Sequence, residues 1–221
     1  MDIDESDNII LHIGLHKTAT TFLQREVFPK IKGINYIDMC PSKNNKSILS
    51  VDIIPGKINL ITRESLSGSP YNFKKNISAK QRDLIIKRLK RIFPNAKIII
   101  GVREKQSWLN SLYKQHIRMS PDCSKEEFLQ KFDSNYLNHE EYISLIKSLF
   151  KEVYVYQYED LKSNPEEFVD GICKFIEVET PEWENKVHLK SVNSKQEKLM
   201  LIIYKITRYF YLIIREKILG E

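Results

Sequence analysis

The sequence contains few of the residues that mark disulfide-rich, fibrous or low-complexity proteins. Its 221 residues include three cysteines, seven glycines and eight prolines. The cysteines are odd in number and far apart, which excludes a disulfide framework and a closely spaced metal-binding motif and is typical of a reducing compartment. The scarcity of glycine and proline excludes a collagen-like chain and predicts order over nearly all of the sequence.

Long apolar runs are also absent. The longest, Leu199–Tyr204, is far shorter than the roughly 20 residues that cross a bilayer. The N-terminal residues Met1–Asp7 are acidic, whereas a secretory signal peptide begins with basic residues followed by apolar ones. These features predict a cytoplasmic protein.

The totals favour a single basic domain. A length of 221 residues is enough for one α/β domain but too short for two, and the 42% of hydrophobic residues can form its core. We therefore expect one domain over residues 1–221. The net charge of +6 and the pI near 9.0 favour an anionic ligand. Charge alone fits nucleic acid or an acidic membrane surface equally well.

Apolar runs of strand length alternate with helical patterns along the chain. Strands are predicted at Ile9–Ile13, Asn35–Ile37, Lys57–Thr62, Lys97–Val102 and Val153–Tyr156. Six helices are predicted. They cover Thr20–Val27 before Pro29, Ser78 to Phe93, the residues after Arg103 to about Arg118, a stretch that begins at Ser124, Asn138–Phe150, and Asn164 to Ile176. This alternation is typical of an α/β fold with a mainly parallel sheet of four to five strands between layers of helices.

Three of these helices are preceded by a side chain that can cap the helix N-terminus. The capping residues are Ser78, Ser124 and Asn164, followed three positions later by Gln81, Glu127 and Glu167. This pairing is the sequence pattern of a capped helix start.

The end of the chain allows more than one interpretation. Residues 177–193 are irregular and polar, as expected of a loop that covers a ligand. Residues 195–219 predict an apolar helix with a narrow basic stripe. This helix either packs against the domain or a second subunit, giving a homodimer, or lies in the plane of a membrane at its inner face.

A loop suited to binding phosphate follows the first predicted strand. Gly14 allows a turn, and the next helix begins among hydroxyls and one lysine, in the order His16, Lys17, Thr18, Ala19, Thr20, Thr21. A helix start offers unpaired N–H groups and the positive end of the helix dipole, so an anion bound there gains several hydrogen bonds. Lys17 adds a full positive charge. The alternative is a threonine-capped helix with an exposed lysine.

The nucleotide-hydrolase signature does not fit this loop. In that signature a glycine comes directly before the lysine, where this chain has His16, and Gly14 lies only three positions before Lys17. The stretch Lys17-Thr18-Ala19-Thr20-Thr21 instead resembles the 5′-phosphosulfate loop of sulfotransferases that use 3′-phosphoadenosine 5′-phosphosulfate (PAPS), in which Lys-x-Gly-Thr-Thr follows Pro or His.

Ala19 replaces the glycine of that family pattern. A methyl group is tolerated if the residue has ordinary dihedrals, but it costs free energy if the position needs a positive φ. The resemblance implies that His16 to Thr21 bind the cofactor and that Phe22 contacts its adenine. A phenylalanine that packs in the core is the alternative for Phe22.

A second motif follows the strand that ends at Val102. Arg103, with Ser111 eight residues further on, resembles the motif of the same family that binds the 3′-phosphate of the cofactor. A dianionic phosphate favours the forked donor of an arginine, and a hydroxyl two helical turns later reaches the same oxygens. The alternative for Arg103 is a surface ion pair.

The resemblance covers about residues 9–176. It includes a Tyr-Glu-Asp-Leu stretch at Tyr158–Leu161, interpreted as structural, but not the Arg-Lys-Gly motif of cytosolic sulfotransferases. It implies a three-layer P-loop-like fold and transfer of a sulfuryl group from PAPS to an acceptor hydroxyl. Lys17 then stabilises charge on the leaving oxygen, a task that arises in related phosphoryl transfer.

Glu64, just after the predicted strand Lys57–Thr62, is the candidate general base. The glycan and tyrosyl sulfotransferases resemble each other in carrying a glutamate here, whereas cytosolic ones carry a histidine. This implies a carbohydrate or glycolipid acceptor. We also expect no nucleic acid partner, and no metal, because arginine, lysine and backbone amides already supply the positive charge. The alternative for Glu64 is an ion pair with Arg63 or Lys17.

Two other functions remain open from the sequence. One is a P-loop kinase that uses ATP with magnesium. The other is a non-catalytic basic protein of the membrane surface, whose working part is the helix at 195–219.

Overall fold

The computed structural model describes residues 8–39, 48, 51–70, 79–120 and 122–184. Within these ranges, five strands form one parallel sheet in the order β2-β3-β1-β4-β5. The strands are β1 (Ile9–His12), β2 (Asn35–Asp38), β3 (Asn59–Thr62), β4 (Lys97–Val102) and β5 (Val153–Gln157). The predicted α/β fold with a parallel sheet between helices is confirmed.

Seven helices accompany the sheet in the described residues. They are α1 (Thr20–Phe22), α2 (Ala79–Ile92), α3 (Lys105–Met119), α4 (Lys125–Lys131), α5 (His139–Leu149), α6 (Asp160–Ser163) and α7 (Pro165–Ile176). Short 3-10 turns lie at Glu64–Ser67, directly after β3, and at Ser134–Leu137.

The first helical segment ends at Val27, as predicted. α1 continues into a π turn at Leu23–Val27, and a separate 3-10 turn at Phe28–Lys30 contains Pro29. Pro29 lies at the start of the 3-10 turn, where its missing N–H breaks no hydrogen bond.

Two of the three predicted helix caps are present. Ser124 Oγ accepts a hydrogen bond from the Glu127 amide at 3.1 Å, and Asn164 Oδ1 accepts one from the Glu167 amide at 3.2 Å. Ser78, the third predicted cap, lies outside the described residues.

Alternating side chains divide the core into two halves, one on each face of the sheet. Ile9 and Leu11 of β1 belong to the half that packs against α2 and α5, and Ile10 belongs to the half that packs against α1 and α7. A smaller cluster around Trp108 joins α3 to α4. These layers hold the strand ends in fixed positions.

The predictions for the C-terminal part are mostly outside the described residues. Only residues 177–184 of the polar segment are described, and the predicted helix at 195–219 is not. Among the helices that the structure describes, none combines the length and the hydropathy needed to cross a membrane.

Candidate active site

Three of the predicted site segments meet at the carboxyl end of the sheet. β1 lies between β3 and β4, so the loop after β1 is flanked by Glu64 after β3 and by Arg103 after β4. In an open parallel sheet, ligands bind outside the carboxyl ends of the strands. The strand order therefore collects the predicted residues at one edge.

The loop after β1 has an unusual backbone. Lys17 has φ 67° and Ala19 has φ 71° and ψ 9°, so both residues are in the left-handed region. This conformation costs an ordinary residue about 1–2 kcal/mol. Turns that contain such residues form concavities lined by backbone N–H groups, which bind anions. Of the two alternatives for Ala19, the structure shows the costly one.

Hydrogen bonds from other elements hold this loop in place. The indole Nε1 of Trp108, on α3, donates to the carbonyl of His16 at 2.6 Å. The hydroxyl of Ser67, in the turn after β3, donates to the carbonyl of Gly14 at 3.0 Å. The strained loop is thus fixed from two sides by groups that lie far from it in sequence.

The peptide groups of Lys17 connect the two neighbouring strand ends. Its N–H donates to Glu64 Oε1 at 3.4 Å, and its carbonyl accepts from Arg103 Nη1 at 3.2 Å. The three residues that the sequence assigned to proton transfer, leaving-group stabilisation and 3′-phosphate binding therefore lie together around one residue of the loop.

Glu64 also lies close to His16. Their side chains are 3.8 Å apart, from Nε2 to Oε2, and the Glu64 side chain is 35% exposed, so an incoming molecule can reach its carboxylate. Burial lowers the pKa of His16, with Glu64 acting to raise it and Lys17 to lower it. His16 is therefore neutral near pH 7. The neighbouring Arg63 donates through Nε to Ser65 Oγ at 2.6 Å.

Arg103 is held in a fixed orientation. Its Nε and Nη2 donate to Ser107 Oγ at 2.9 and 2.7 Å, and its guanidinium carbon lies 4.2 Å from the centre of the Tyr158 ring. Ser111, the predicted partner, lies half-buried one helical turn beyond Ser107 on α3. The structure brings Arg103 to Ser107 and not to Ser111.

The remaining predicted residues differ in their exposure. Thr20 is 2% exposed and its hydroxyl has no hydrogen-bond partner, whereas Thr21 is exposed. The Thr18 hydroxyl donates to the Leu15 carbonyl at 2.5 Å. Phe22 is half-buried and packs edge to face against Trp183, with ring centres 5.5 Å apart.

These residues fit a ligand with two anionic groups. The buried hydroxyl of Thr20 lacks a partner that an anion would supply, and the left-handed loop provides N–H donors beside it. Arg103 offers a second cation at the next strand end. No cluster of histidine, cysteine and acidic side chains suited to a metal ion occurs among the residues in the described ranges.

Sequence reasoning missed four residues of this site. Ser107 and Trp108 follow Arg103 within one turn and a half of helix, but the motif that singled out Ser111 does not include them. Tyr158 belongs to a stretch interpreted as structural, and Trp183 to the polar segment at 177–193, which was predicted only as a whole to cover a ligand. No local signal connects the last two residues to the loop.

Comparison with solved structures gives neighbours in the same fold. A sulfotransferase from Alicyclobacillus acidocaldarius aligns with TM-score 0.51 and 16% identity over 80% of this chain and 84% of its own. Mouse sulfotransferase SULT7A1, complexed with PAP, aligns with TM-score 0.50 and 17% identity over 82% of this chain and 62% of its own. A sequence search of curated proteins gives no match.

A family model described as the sulfotransferase domain matches residues 7–207. This match includes all the strands of the sheet and all three site segments at its carboxyl end. The chain therefore belongs to the sulfotransferase domain family, and the class of enzyme predicted from its motifs is confirmed.

Proposed function

We propose that this enzyme transfers a sulfuryl group from PAPS to a hydroxyl of a carbohydrate or glycolipid. The observation that carries the proposal is the shared contact of Glu64 and Arg103 with the two peptide groups of Lys17. This contact brings a carboxylate, a lysine and an arginine to one strained, anion-binding loop.

The donor supplies the sulfuryl group and, after transfer, leaves as adenosine 3′,5′-bisphosphate. The residues proposed to hold its 5′ end are His16 through Thr21, with the unpartnered hydroxyl of Thr20 among them. Arg103 and Ser111 are proposed to hold the 3′-phosphate, with Ser107 orienting Arg103. Phe22 is proposed to contact the adenine. The complex of mouse SULT7A1 with PAP supports this choice of nucleotide.

Two side chains are proposed to act directly in the transfer. The ammonium group of Lys17 stabilises the negative charge that develops on the leaving oxygen. Glu64 accepts the proton of the acceptor hydroxyl, for which its partly exposed carboxylate is accessible. Because Glu64 contacts the Lys17 amide, the proton acceptor lies beside the proposed point of transfer.

The acceptor class rests on the identity of the residue at position 64. A glutamate there is the feature shared with glycan and tyrosyl sulfotransferases, and the preference for a glycan or glycolipid follows from that resemblance. Incubation with labelled PAPS and a panel of glycans and glycolipids tests this part. Transfer of label to phenols or peptides only would contradict it.

Thermal unfolding tests the choice of nucleotide. Adenosine 3′,5′-bisphosphate at a hundred times its dissociation constant should stabilise the protein by about 2.7 kcal/mol. ATP with magnesium should stabilise it much less, since the loop lacks the nucleotide-hydrolase spacing. The opposite order would support a kinase, and no effect of either nucleotide would support a non-catalytic protein.

A further inference from the structure

Three polar side chains from three strands meet in the core directly before the loop. His12 of β1 lies 2.8 Å from Thr62 Oγ1 through Nδ1 and 3.1 Å from Tyr156 Oη through Nε2. His12 and Thr62 are fully buried, and Tyr156 is 3% exposed. Polar groups at this depth cost free energy unless they are hydrogen-bonded, and apolar side chains would fill the same space without that cost. This group therefore calls for a role besides packing.

Gln24, at one end of the group, favours one direction for the hydrogen bonds. Its side-chain amide nitrogen donates to Thr62 Oγ1 at 3.1 Å, which leaves the Thr62 hydroxyl hydrogen available for Nδ1 of His12. Burial lowers the pKa of His12 to about 3, so the ring is neutral and carries one N–H. With Nδ1 as acceptor, that N–H is on Nε2 and donates to Tyr156 Oη. The hydroxyl hydrogen of Tyr156 then points away from His12.

Two hydroxyls of the loop lie near His12 Nε2. A Cβ placed on Gly14 would be 2.7 Å from Thr20 Oγ1, 3.5 Å from His12 Nε2 and 3.6 Å from Thr18 Oγ1, so these three atoms surround one point. The Thr18 hydroxyl hydrogen is already donated to the Leu15 carbonyl. The Thr20 hydroxyl is buried without a partner.

Tyr156 lies near these threonines. Burial raises the pKa of Tyr156, and the nearby hydroxyls of Thr18 and Thr20 act in the opposite direction, although Thr20 Oγ1 is outside hydrogen-bonding geometry in this structure. The ring reaches this place because β4 has a glycine opposite it, since a Cβ on Gly101 would lie 2.3 Å from the ring. Both the glycine and the tyrosine are needed for the arrangement.

We propose that His12 and Tyr156 are positioning residues for the phosphate-binding loop. When the nucleotide binds, Tyr156, oriented by His12, donates to the Thr20 oxygen, which has no partner in this structure, so that the Thr20 hydroxyl hydrogen points outward as a donor to the 5′ anionic group of the nucleotide. This inference rests on the proposed function. It concerns the 5′ end of the nucleotide and does not involve Arg103.

Calorimetry with two nucleotides tests the inference. Tyr156→Phe removes only the hydroxyl and should weaken binding of adenosine 3′,5′-bisphosphate about tenfold, as expected for one lost charge-assisted hydrogen bond. Binding of adenosine 3′-monophosphate, which lacks the 5′-phosphate, should be unchanged. Tyr154→Phe is the matched control, because Tyr154 lies on the same face of β5 and its hydroxyl contacts Gly171 instead. The control should leave both affinities unchanged.

Two substitutions of His12 provide an independent check. In His12→Gln the side-chain amide can occupy the position of Nε2 and contact Tyr156. In His12→Asn the shorter side chain reaches only the position of Nδ1, where its amide contacts Thr62. Affinity for the bisphosphate should therefore be retained better by the glutamine variant than by the asparagine variant at equal helical content.

The possible results distinguish the positioning role of Tyr156 from the proposed function of the enzyme. Equal loss of affinity for both nucleotides in Tyr156→Phe, or no loss for either, would overturn the positioning role. If the unmodified protein does not bind the bisphosphate, the proposed function fails, and the inference that depends on it fails as well.

Discussion

At the scale of single residues, Glu64 and Lys17 have separable roles. Glu64→Gln keeps the size and polarity of the side chain but removes its ability to accept a proton, so turnover should fall at least a hundredfold, as is typical when a general base is lost. Binding of adenosine 3′,5′-bisphosphate should be unchanged in this variant. Lys17→Ala should lower turnover similarly, and also weaken binding of the bisphosphate. Steady-state kinetics and calorimetry check both. Normal turnover of Glu64→Gln would exclude Glu64 as the base.

Arg103 is expected to act on binding of the nucleotide. Arg103→Ala removes the guanidinium proposed for the 3′-phosphate, so affinity for the bisphosphate should fall about tenfold to a hundredfold, the range for one lost charged hydrogen-bond pair. Ser107→Ala, which leaves the charge in place but removes its anchor, should have a smaller effect. Equal affinities of Arg103→Ala and the unmodified protein would refute the role of Arg103.

Ala19 offers a stability test that needs no substrate. Since its φ is 71°, Ala19→Gly should raise the free energy of unfolding by up to about 1 kcal/mol, after allowing for the greater entropy of glycine in the unfolded chain. Ala79→Gly, at the first position of α2, is the control and should not raise the free energy of unfolding, because the φ of Ala79 is not positive. Urea denaturation measures both. Destabilisation by Ala19→Gly would mean that the left-handed backbone is not strained.

At the scale of elements, α3 is expected to hold the loop as well as to carry Ser107. Trp108→Phe keeps most of the buried ring but leaves the His16 carbonyl without its donor, which should cost about 1–3 kcal/mol of stability and weaken binding of the bisphosphate. Trp183→Phe, at the rim of the site, is the control and should change stability by less than about 1 kcal/mol. Urea denaturation measures the stability of each variant, and calorimetry measures its affinity for the bisphosphate. An unchanged midpoint for Trp108→Phe would show that the anchor contributes nothing.

The sequence predicts best those elements that depend on residues close together in the chain. The strands and the caps at Ser124 and Asn164 depend on neighbouring residues, and they were found. The approach of Lys17 to Arg103 follows from a general rule on strand ends, although 86 residues separate them. His12 and Tyr156, 144 residues apart, are joined by a contact for which no local pattern exists. Serine at position 107 was missed because a helix offers two hydroxyls on one face.

At the scale of the whole molecule, buried histidines make stability dependent on pH. Burial lowers the pKa of His12 to about 3 and that of His139 to about 4, and it also lowers the pKa of His16. The unfolded chain takes up protons near pH 6.5, whereas the folded protein does not, so the free energy of unfolding should fall as the pH drops below 6.5. Each histidine contributes at most about 1.4 kcal/mol per pH unit, down to its folded pKa.

Urea denaturation at pH 7.5, 6.5 and 5.5 measures this dependence. His12→Gln removes one of the titrating groups, so its stability should fall less steeply over the same range. Stability that is constant or rises between pH 7.5 and 5.5 would contradict the neutral, buried state of these histidines.

The proposed mechanism requires one nucleotide that bridges two strand ends. A crystal structure of the protein with adenosine 3′,5′-bisphosphate tests this most directly. The 5′-phosphate should contact the backbone of residues 17–21 and the hydroxyl of Thr20, and the 3′-phosphate should contact Arg103. A nucleotide bound elsewhere, or bound with its two phosphates exchanged, would contradict the account.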